Sequence, residues 1–538
     1  MKNKNVFLLL WIIAFFAFIK GYNAGWCYDA ITFSYTINEK PLSYLFNLNA
    51  DYIIRFVYFT IEYVAYYLFG EQGWDWYILK ITIHSINAFL LFIIAKMLLQ
   101  KLKIKNTYLS LCISILFLIS PYTTEVVLYQ ATLQYALVTL FIQLCIFCLF
   151  KYIETDKIKY IYLYITINTI SIFTSEITFV FPLIIFVIIF IYADLNEIKI
   201  RHLTFPLISL IILIIYLSIT FLLLGKIVGH YGPEIHLEPN ISRSLPNFLK
   251  FFLDIIAFTQ YWNFDKMYNT YVFIESYYVV FYLILFVAFL LLYYFVKDKK
   301  RLLKKTLVLL LCVISLLPVI NLFFLYVTPI EGDRYYYFSL IFVYLFVLLI
   351  TYNIDKVFAQ TLFCFLFVLN FILLQKNVIE WQKAQKIIDN SLQTFNLEKN
   401  KKYMFLAVAD RIGGALIFAS DESKEKPFGL SDFAMAICIR KDMQVEGKIG
   451  QVLNYNVTSE TICPIIEIVN DTTLKYTLPC CGQWWWKRRH GATDFENDYY
   501  RVKMIGGWQQ EVLVTLKQKP KDMIYIYQCG EEFVELKF

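Results

Sequence analysis

Residues 76–105 read WYILKITIHSINAFLLFIIAKMLLQKLKIK. The run from 76 to 99 is apolar for the length of a bilayer crossing, then gives way to Lys101, Lys103 and Lys105. An apolar window of roughly 19 residues closed by cations is the signature of a transmembrane helix ending on a cytoplasmic face. The pattern repeats outward in both directions. About eleven windows are readable, at approximately 5–20, 76–99, 107–121, 128–150, 160–173, 177–193, 203–224, 273–296, 306–327, 335–353 and 357–375. With 59% of its 538 residues hydrophobic and a mean hydropathy of +0.58, the chain lies outside the range of soluble domains. The fold class expected is a mainly α, polytopic membrane protein with a small mostly-β domain at its C-terminal end.

The cations orient the spans. Lys2 and Lys4 assign the N-terminus to the cytoplasm, and the same count brings Lys101–Lys105 and Lys297-Asp298-Lys299-Lys300-Arg301 to that side, with Lys304 and Lys305. An odd number of spans then carries the C-terminal domain outside, in a bacterial inner membrane. The first run ends in Phe18-Ile19-Lys20-Gly21-Tyr22 without a small-x-small cleavage site, so it reads as a retained anchor. The net charge of +7 belongs largely to loops facing anionic lipid and does not point to nucleic acid. Cys27, Cys438, Cys463, Cys480, Cys481 and Cys529 fall outside the membrane by this count, which predicts two or three disulfides.

Three regions follow: a membrane domain over 1–375, a stalk helix over 376–400 and a β-rich domain over 401–538. Asp51–Gly70 and Pro246–Trp262 read as amphipathic helices lying in the interface, within two long outer loops at about 20–75 and 225–272. Short β-rich runs at Tyr403–Ala409, Ala415–Ala419, Glu511–Leu516 and Met523–Gln528 are separated by turn residues.

Charged residues collect at the outer mouths of the spans. Asp29, in Trp26-Cys27-Tyr28-Asp29, reads as a general base for an acceptor hydroxyl or, alternatively, as a solvated loop acid or a helix N-cap. Arg55 follows Asp51 by four residues, so a surface ion pair competes with a ligand role. His84 with Asn87 at membrane depth needs partners or a wet cavity, and a hydrogen-bonded structural histidine is the commoner case. Glu125 follows a helix break at Ser120-Pro121, and Glu176 sits in a sharp turn. Both acids overhang the same outer cavity as Asp29, or are turn residues facing water. Asp333-Arg334-Tyr335-Tyr336-Tyr337 pairs a phosphate-matching guanidinium with tyrosines that suit sugar faces or an aromatic belt. His230, Glu234, His236 and Glu238 lack a helical ligand spacing, and no metal is expected. Trp484-Trp485-Trp486-Lys487-Arg488-Arg489-His490 suits a membrane surface or packing against the spans. Asn240, Asn456 and Asn470 head N-x-S/T sequons.

Taken in order, these motifs resemble the GT-C class of integral-membrane glycosyltransferases, whose relatives include the protein O-mannosyltransferases and the aminoarabinose transferases of lipid A. The likeness covers about 5–375: an acid soon after the first span, Arg55 on an interface helix leading into Leu68-Phe69-Gly70, His84 and Asn87 in a span, then Ser120–Glu125, Ser175-Glu176 and Asp333-Arg334-Tyr335. Two positions depart from the class: Ala30 follows Asp29 where a second acid is frequent, and Phe56 follows Arg55 where proline is frequent.

The resemblance implies a sugar delivered on a polyprenyl-phosphate lipid, with the first-loop acid, Asp29, as catalytic base. Arg334, with Arg55 as a second candidate, would hold the departing phosphate, and Glu125, Glu176, His84, Asp333 and Asp51 would line the cavity. Such a reaction requires no cofactor. The acceptor would be a hydroxyl on a glycan, lipid or protein. A flippase of lipid-linked sugars would instead spread polar groups across the midplane. An assembly protein acting through its tail would leave the outer charges dispensable.

Overall fold

The computed structural model describes residues 3–39, 54–104, 107–193, 195–225, 241–296, 298–320, 332–398, 401–418, 428–457, 463–478, 494–505, 511–520 and 522–537. The membrane region opens with α1 (Asn3–Phe18), α2 (Asp29–Glu39), α3 (Phe56–Phe69) and α4 (Gly73–Lys101). It continues through α5 (Thr107–Leu118), α6 (Thr124–Leu128), α7 (Leu133–Thr155), α8 (Lys159–Ile172), α9 (Phe181–Tyr192) and α10 (Thr204–Leu224). Then come α11 (Ile241–Ala257), α12 (Phe264–Phe295), α13 (Lys299–Leu316), α14 (Arg334–Thr351) and α15 (Lys356–Thr394).

Among the described residues seven helices are long and apolar enough to cross a membrane, or eight if one bent pair counts as a single span, against eleven windows in the sequence. The seven are Asn3–Gly21, Gly73–Lys101, Gln130–Thr155, Ile200–Leu224, Asp265–Phe295, Arg334–Thr351 and Lys356–Thr394, the build of a multi-pass membrane protein. The difference lies in particular windows. Pro121 breaks the third, and its two halves, Tyr108–Leu118 and Pro121–Leu128, meet at 57°. The fifth is the 14-residue α8, about 21 Å long at 1.5 Å per residue against a core of about 30 Å. The sixth is also short, at Glu176–Tyr192. The ninth lies on α13, which takes the Lys299–Lys305 cations into its first turns, and 321–327 lie outside the described residues.

Helix α4 packs against α1, α5 and α7, and α14 against α13, α5 and α7. These helices form the buried centre, while α10 and α12 present apolar faces outward. The expected stalk is the second half of α15, which runs 39 residues without a break. The two segments expected as interface helices are helical, as α3, beginning after Arg55, and α11.

Past α15 the chain folds around β1 (Lys402–Ile412). Parallel neighbours flank β1, with β10 (Met523–Cys529) on one side and β3 (Ile449–Gln451) and β4 (Asn454–Val457) on the other. Burial on both faces explains why Tyr403–Ala409 is continuously apolar rather than alternating. The short β2 (Ala415–Leu416) and β11 (Glu532–Leu536) add antiparallel partners. A second, antiparallel sheet runs β5 (Ile465–Asn470), β6 (Thr473–Thr477), β9 (Glu511–Leu516), β8 (Tyr500–Met504), β7 (Phe495–Glu496). In β9, Val512, Val514 and Leu516 alternate inward. Cys463, just before β5, bonds to Cys529 at the end of β10 and ties the two sheets. It is the one disulfide among the described residues; Cys27 and Cys438 are free thiols, and Cys480 and Cys481 lie outside those residues.

The domain also carries one helix among its described residues, within a segment whose sequence pattern predicts none. α16 (Asp432–Lys441) starts behind Ser431, whose hydroxyl accepts the Ala434 N–H at 3.3 Å.

Candidate active site at the first loop

The loop between α1 and α2 lies directly on the broken segment that follows Pro121. Gly25 takes φ +97°, and a Cβ there would stand 1.9 Å from the Leu128 carbonyl oxygen, so only glycine fits. Its carbonyl accepts the Gln130 N–H at 3.1 Å. Tyr28 then adopts a left-handed φ of +43°, and α2 begins at Asp29. The Asp29 N–H donates to the Tyr129 hydroxyl at 3.0 Å. A carboxylate in the first turn of a helix is favoured by the helix dipole.

Glu125 stands in the same broken segment, on α6. Its carboxylate accepts the Arg334 guanidinium at 2.7 Å and the Arg334 backbone N–H at 2.9 Å. It thereby covers an otherwise open donor at the start of α14. The acid is the buried partner, 3% exposed, and the arginine is 16% exposed. The guanidinium lies 5.1 Å from the Tyr335 ring centre. Beneath them the buried Lys80 ammonium donates to the carbonyls of Val126 (2.8 Å) and Tyr129 (2.7 Å) and to the Thr132 hydroxyl (3.1 Å). Those contacts staple the segment that carries Glu125. Lys80 was visible in sequence as an ammonium inside an apolar run, yet was not singled out.

Two buried groups report how closely the charges gather. Burial pushes the Cys27 thiol well above its ordinary range; Asp29, Asp432 and Glu125 push it the same way and Arg334 opposes them. Burial also raises the Tyr129 hydroxyl, with Asp29 and Cys27 adding to the effect and Arg334 countering it. Hydrogen bonds link the same residues: the Asp29 N–H reaches Tyr129, the Tyr129 N–H donates to the Glu125 carbonyl at 2.9 Å, and the Glu125 carboxylate holds Arg334.

Arg55 forms a second pair. Its fork meets Glu176 at 2.6, 2.8 and 3.1 Å and ties the start of α3 to the turn before α9. Here the arginine is the buried member, 4% exposed, and the acid is 22% exposed. Tyr58, on α3, donates its hydroxyl to the Ala131 carbonyl at 2.9 Å. Asp51, the expected surface partner of Arg55, lies outside the described residues.

His84 is a structural joint. One ring nitrogen meets the Tyr337 hydroxyl at 2.8 Å and the other the Leu118 carbonyl at 2.9 Å, so both are engaged within the bundle. Asn87 bonds the same hydroxyl at 3.1 Å. Tyr335, Tyr336 and Tyr337 are buried and form internal contacts, not an interfacial belt. Tyr336 donates to Asp254 at 2.6 Å. Asp333 is fully buried, where it acts on Tyr122 and Tyr261. The His230–Glu238 set and the Trp484–His490 run lie outside the described residues. Among the described residues no group of three or more His, Cys, Asp or Glu is gathered to hold a metal.

The structure adds one residue that sequence could not offer. Asp432, at the start of α16, accepts the Thr32 hydroxyl at 3.2 Å across 400 positions of chain. No family model matches this sequence, and no curated protein or solved structure matches it.

Proposed function

We propose that the chain is an inverting membrane glycosyltransferase that moves a sugar from a polyprenyl phosphate to an acceptor hydroxyl. The observation that carries this reading is the short chain of contacts from Asp29 to Arg334, through the Tyr129 hydroxyl and backbone and then Glu125. A base and a phosphate-matching cation in one neighbourhood are what the reaction needs. Asp29 takes the acceptor proton, and the acceptor oxygen bonds to the anomeric carbon. The bond from that carbon to the phosphate oxygen breaks on the opposite face, and its electron pair leaves with the lipid phosphate. Arg334 stabilises the phosphate through charge-assisted hydrogen bonds. Of the two arginines it is the better suited, because its side chain is the exposed member of its pair.

In this reading the bent pair α5–α6 and the shorter α8, α9 and α13 cross the bilayer with the seven long helices. That makes about eleven passes, with the N-terminus inside and the first loop and C-terminal domain outside. Reporter fusions after Lys105 and after Phe538 test it, and reports from the same side overturn it.

The reaction is tested with purified protein in nanodiscs and a panel of farnesyl- and undecaprenyl-phosphate monosaccharides. Wild type is expected to release the polyprenyl phosphate from at least one donor as sugar appears on an acceptor, and Asp29→Asn is not. Equal release by both forms would remove Asp29 from the chemistry. No transfer from any donor would end the reading.

A further inference from the structure

Asp432 belongs to the C-terminal domain, yet it touches the helix that begins with Asp29. Thr32 lies three residues beyond Asp29, on the same face of α2. Its hydroxyl donates to Asp432, which is buried in the first turn of α16. The N-terminal dipole of α16 favours the charged form of that acid.

The far end of the same helix is also moored to the membrane region. The Arg440 guanidinium lies 4.6 Å from the Trp26 ring centre, pairs with Glu71, and approaches Asp389 of α15 at 3.7 Å. Trp26 in turn donates to Ser34 of α2 at 3.1 Å. The segment from Trp26 to Thr32, with Asp29 inside it, is thus gripped by α16 at both ends. Cys27 feels Asp29 and Asp432 together, which brings the acids of the two domains to one buried thiol.

We propose that Asp432 is a positioning residue: by accepting the Thr32 hydroxyl it pins the first turn of α2 and so fixes Asp29. The C-terminal domain is then part of the site rather than an appendage. The consequence for transfer rests on the glycosyltransferase reading; the consequence for the first loop does not.

The test uses the full chain in nanodiscs with Asp432→Ala, Asp432→Asn, Thr32→Val and the Thr32→Val/Asp432→Ala double variant. Alkylation of Cys27 by N-ethylmaleimide, read by peptide mass spectrometry, reports the looseness of the loop, with buried Cys312 as the control. Transfer from the donor panel reports the site. Asp432→Ala and Thr32→Val are each expected to speed Cys27 labelling and lower kcat by about 10- to 100-fold, the range of one hydrogen bond to a charge. The donor KM and Cys312 labelling should hold. Asp432→Asn should recover most of the loss, because its amide oxygen still accepts the hydroxyl. The double variant should be no worse than the worse single one.

Wild-type labelling and kcat in Asp432→Ala, additive losses in the double variant, or parallel exposure of Cys312 would each overturn the proposal. If wild type transfers no sugar from any donor, the enzyme reading fails while the labelling contrast still decides whether Asp432 pins α2.

Discussion

Two arginine–glutamate pairs stand near the first loop, and they are built in opposite senses. In the Arg55–Glu176 pair the cation is buried and the acid reaches toward solvent; in the Arg334–Glu125 pair the acid is buried and the cation reaches out. Arg55 spends its fork on Glu176 from two nitrogens and joins α3 to the turn before α9. Glu125 spends one oxygen on a backbone N–H, so part of its charge serves the α14 terminus. Similar residue pairs, placed at different depths, suit different tasks. The first resembles a clamp between elements, and in the proposed reaction the second presents a cation near the Asp29 carboxylate.

The sharpest way to break this contrast lies at Asp29. Asp29→Asn is expected to lower kcat by about 10²–10⁴-fold, the range of a lost general base, with undecaprenyl phosphate affinity unchanged. Kinetics on the donor panel and a binding titration check both. Loss of lipid binding as well would merge the base and the phosphate holder into one structural unit.

The clamp makes the next prediction. Glu176→Ala removes the bidentate partner of a buried guanidinium, which costs about 3–5 kcal/mol of stability. Thermal unfolding in detergent should report that loss, and undecaprenyl phosphate affinity in the surviving folded protein should match wild type. A weakened affinity would return Arg55 to the donor site.

Much of this architecture was legible in the chain, for physical reasons that also mark where legibility ended. Long apolar runs such as 76–99 and 357–375 announce themselves by composition. The α8 and α13 windows are less plain, because a hydropathy average registers neither helix length nor the cations drawn into a first turn. Asp29, Glu125 and Arg334 stand out in the sequence because charge beside an apolar run is expensive and needs a reason. His84 met the same criterion, but its reason is internal, two hydrogen bonds that join α4, the end of α5 and α14. Asp432 carried no local signal at all, since an acid after a serine cap is an ordinary helix start. Its meaning comes from a contact 400 positions away.

Acidity tests the anchorage on the Arg334 side. Asp254, buried on α11, accepts hydroxyls from Thr259, Tyr271 and Tyr336, and Tyr336 belongs to the first turn of α14. Burial pushes its carboxyl from 3.8 up to about 6, against those hydrogen bonds and the nearby Lys250. The folded form therefore holds its proton to higher pH than the unfolded chain. Stability from this group is fully present below about pH 4 and is lost as pH rises through about 6, a difference of about 3 kcal/mol. Melting temperature measured across that window should fall in wild type relative to Asp254→Asn. Parallel curves would remove Asp254 as a titrating anchor of α14.

The smallest effect is the most specific. Arg334→Ala should weaken undecaprenyl phosphate binding by one to two orders of magnitude, from the loss of about 1.5–3 kcal/mol of charge-assisted hydrogen bonding. The same change leaves Glu125 buried opposite an alanine, so stability falls too, and stability alone cannot assign a role to the arginine. Adding Glu125→Gln removes the buried charge while its amide oxygen can still accept the backbone N–H at residue 334. The double variant should regain much of its thermal stability and none of its phosphate affinity. Arg334→Lys should keep the charge and restore only part of the affinity, because an ammonium cannot form the two-pronged contact of a guanidinium. If the double variant regains affinity together with stability, Arg334 is a second clamp like Arg55, and the contrast between the two pairs dissolves.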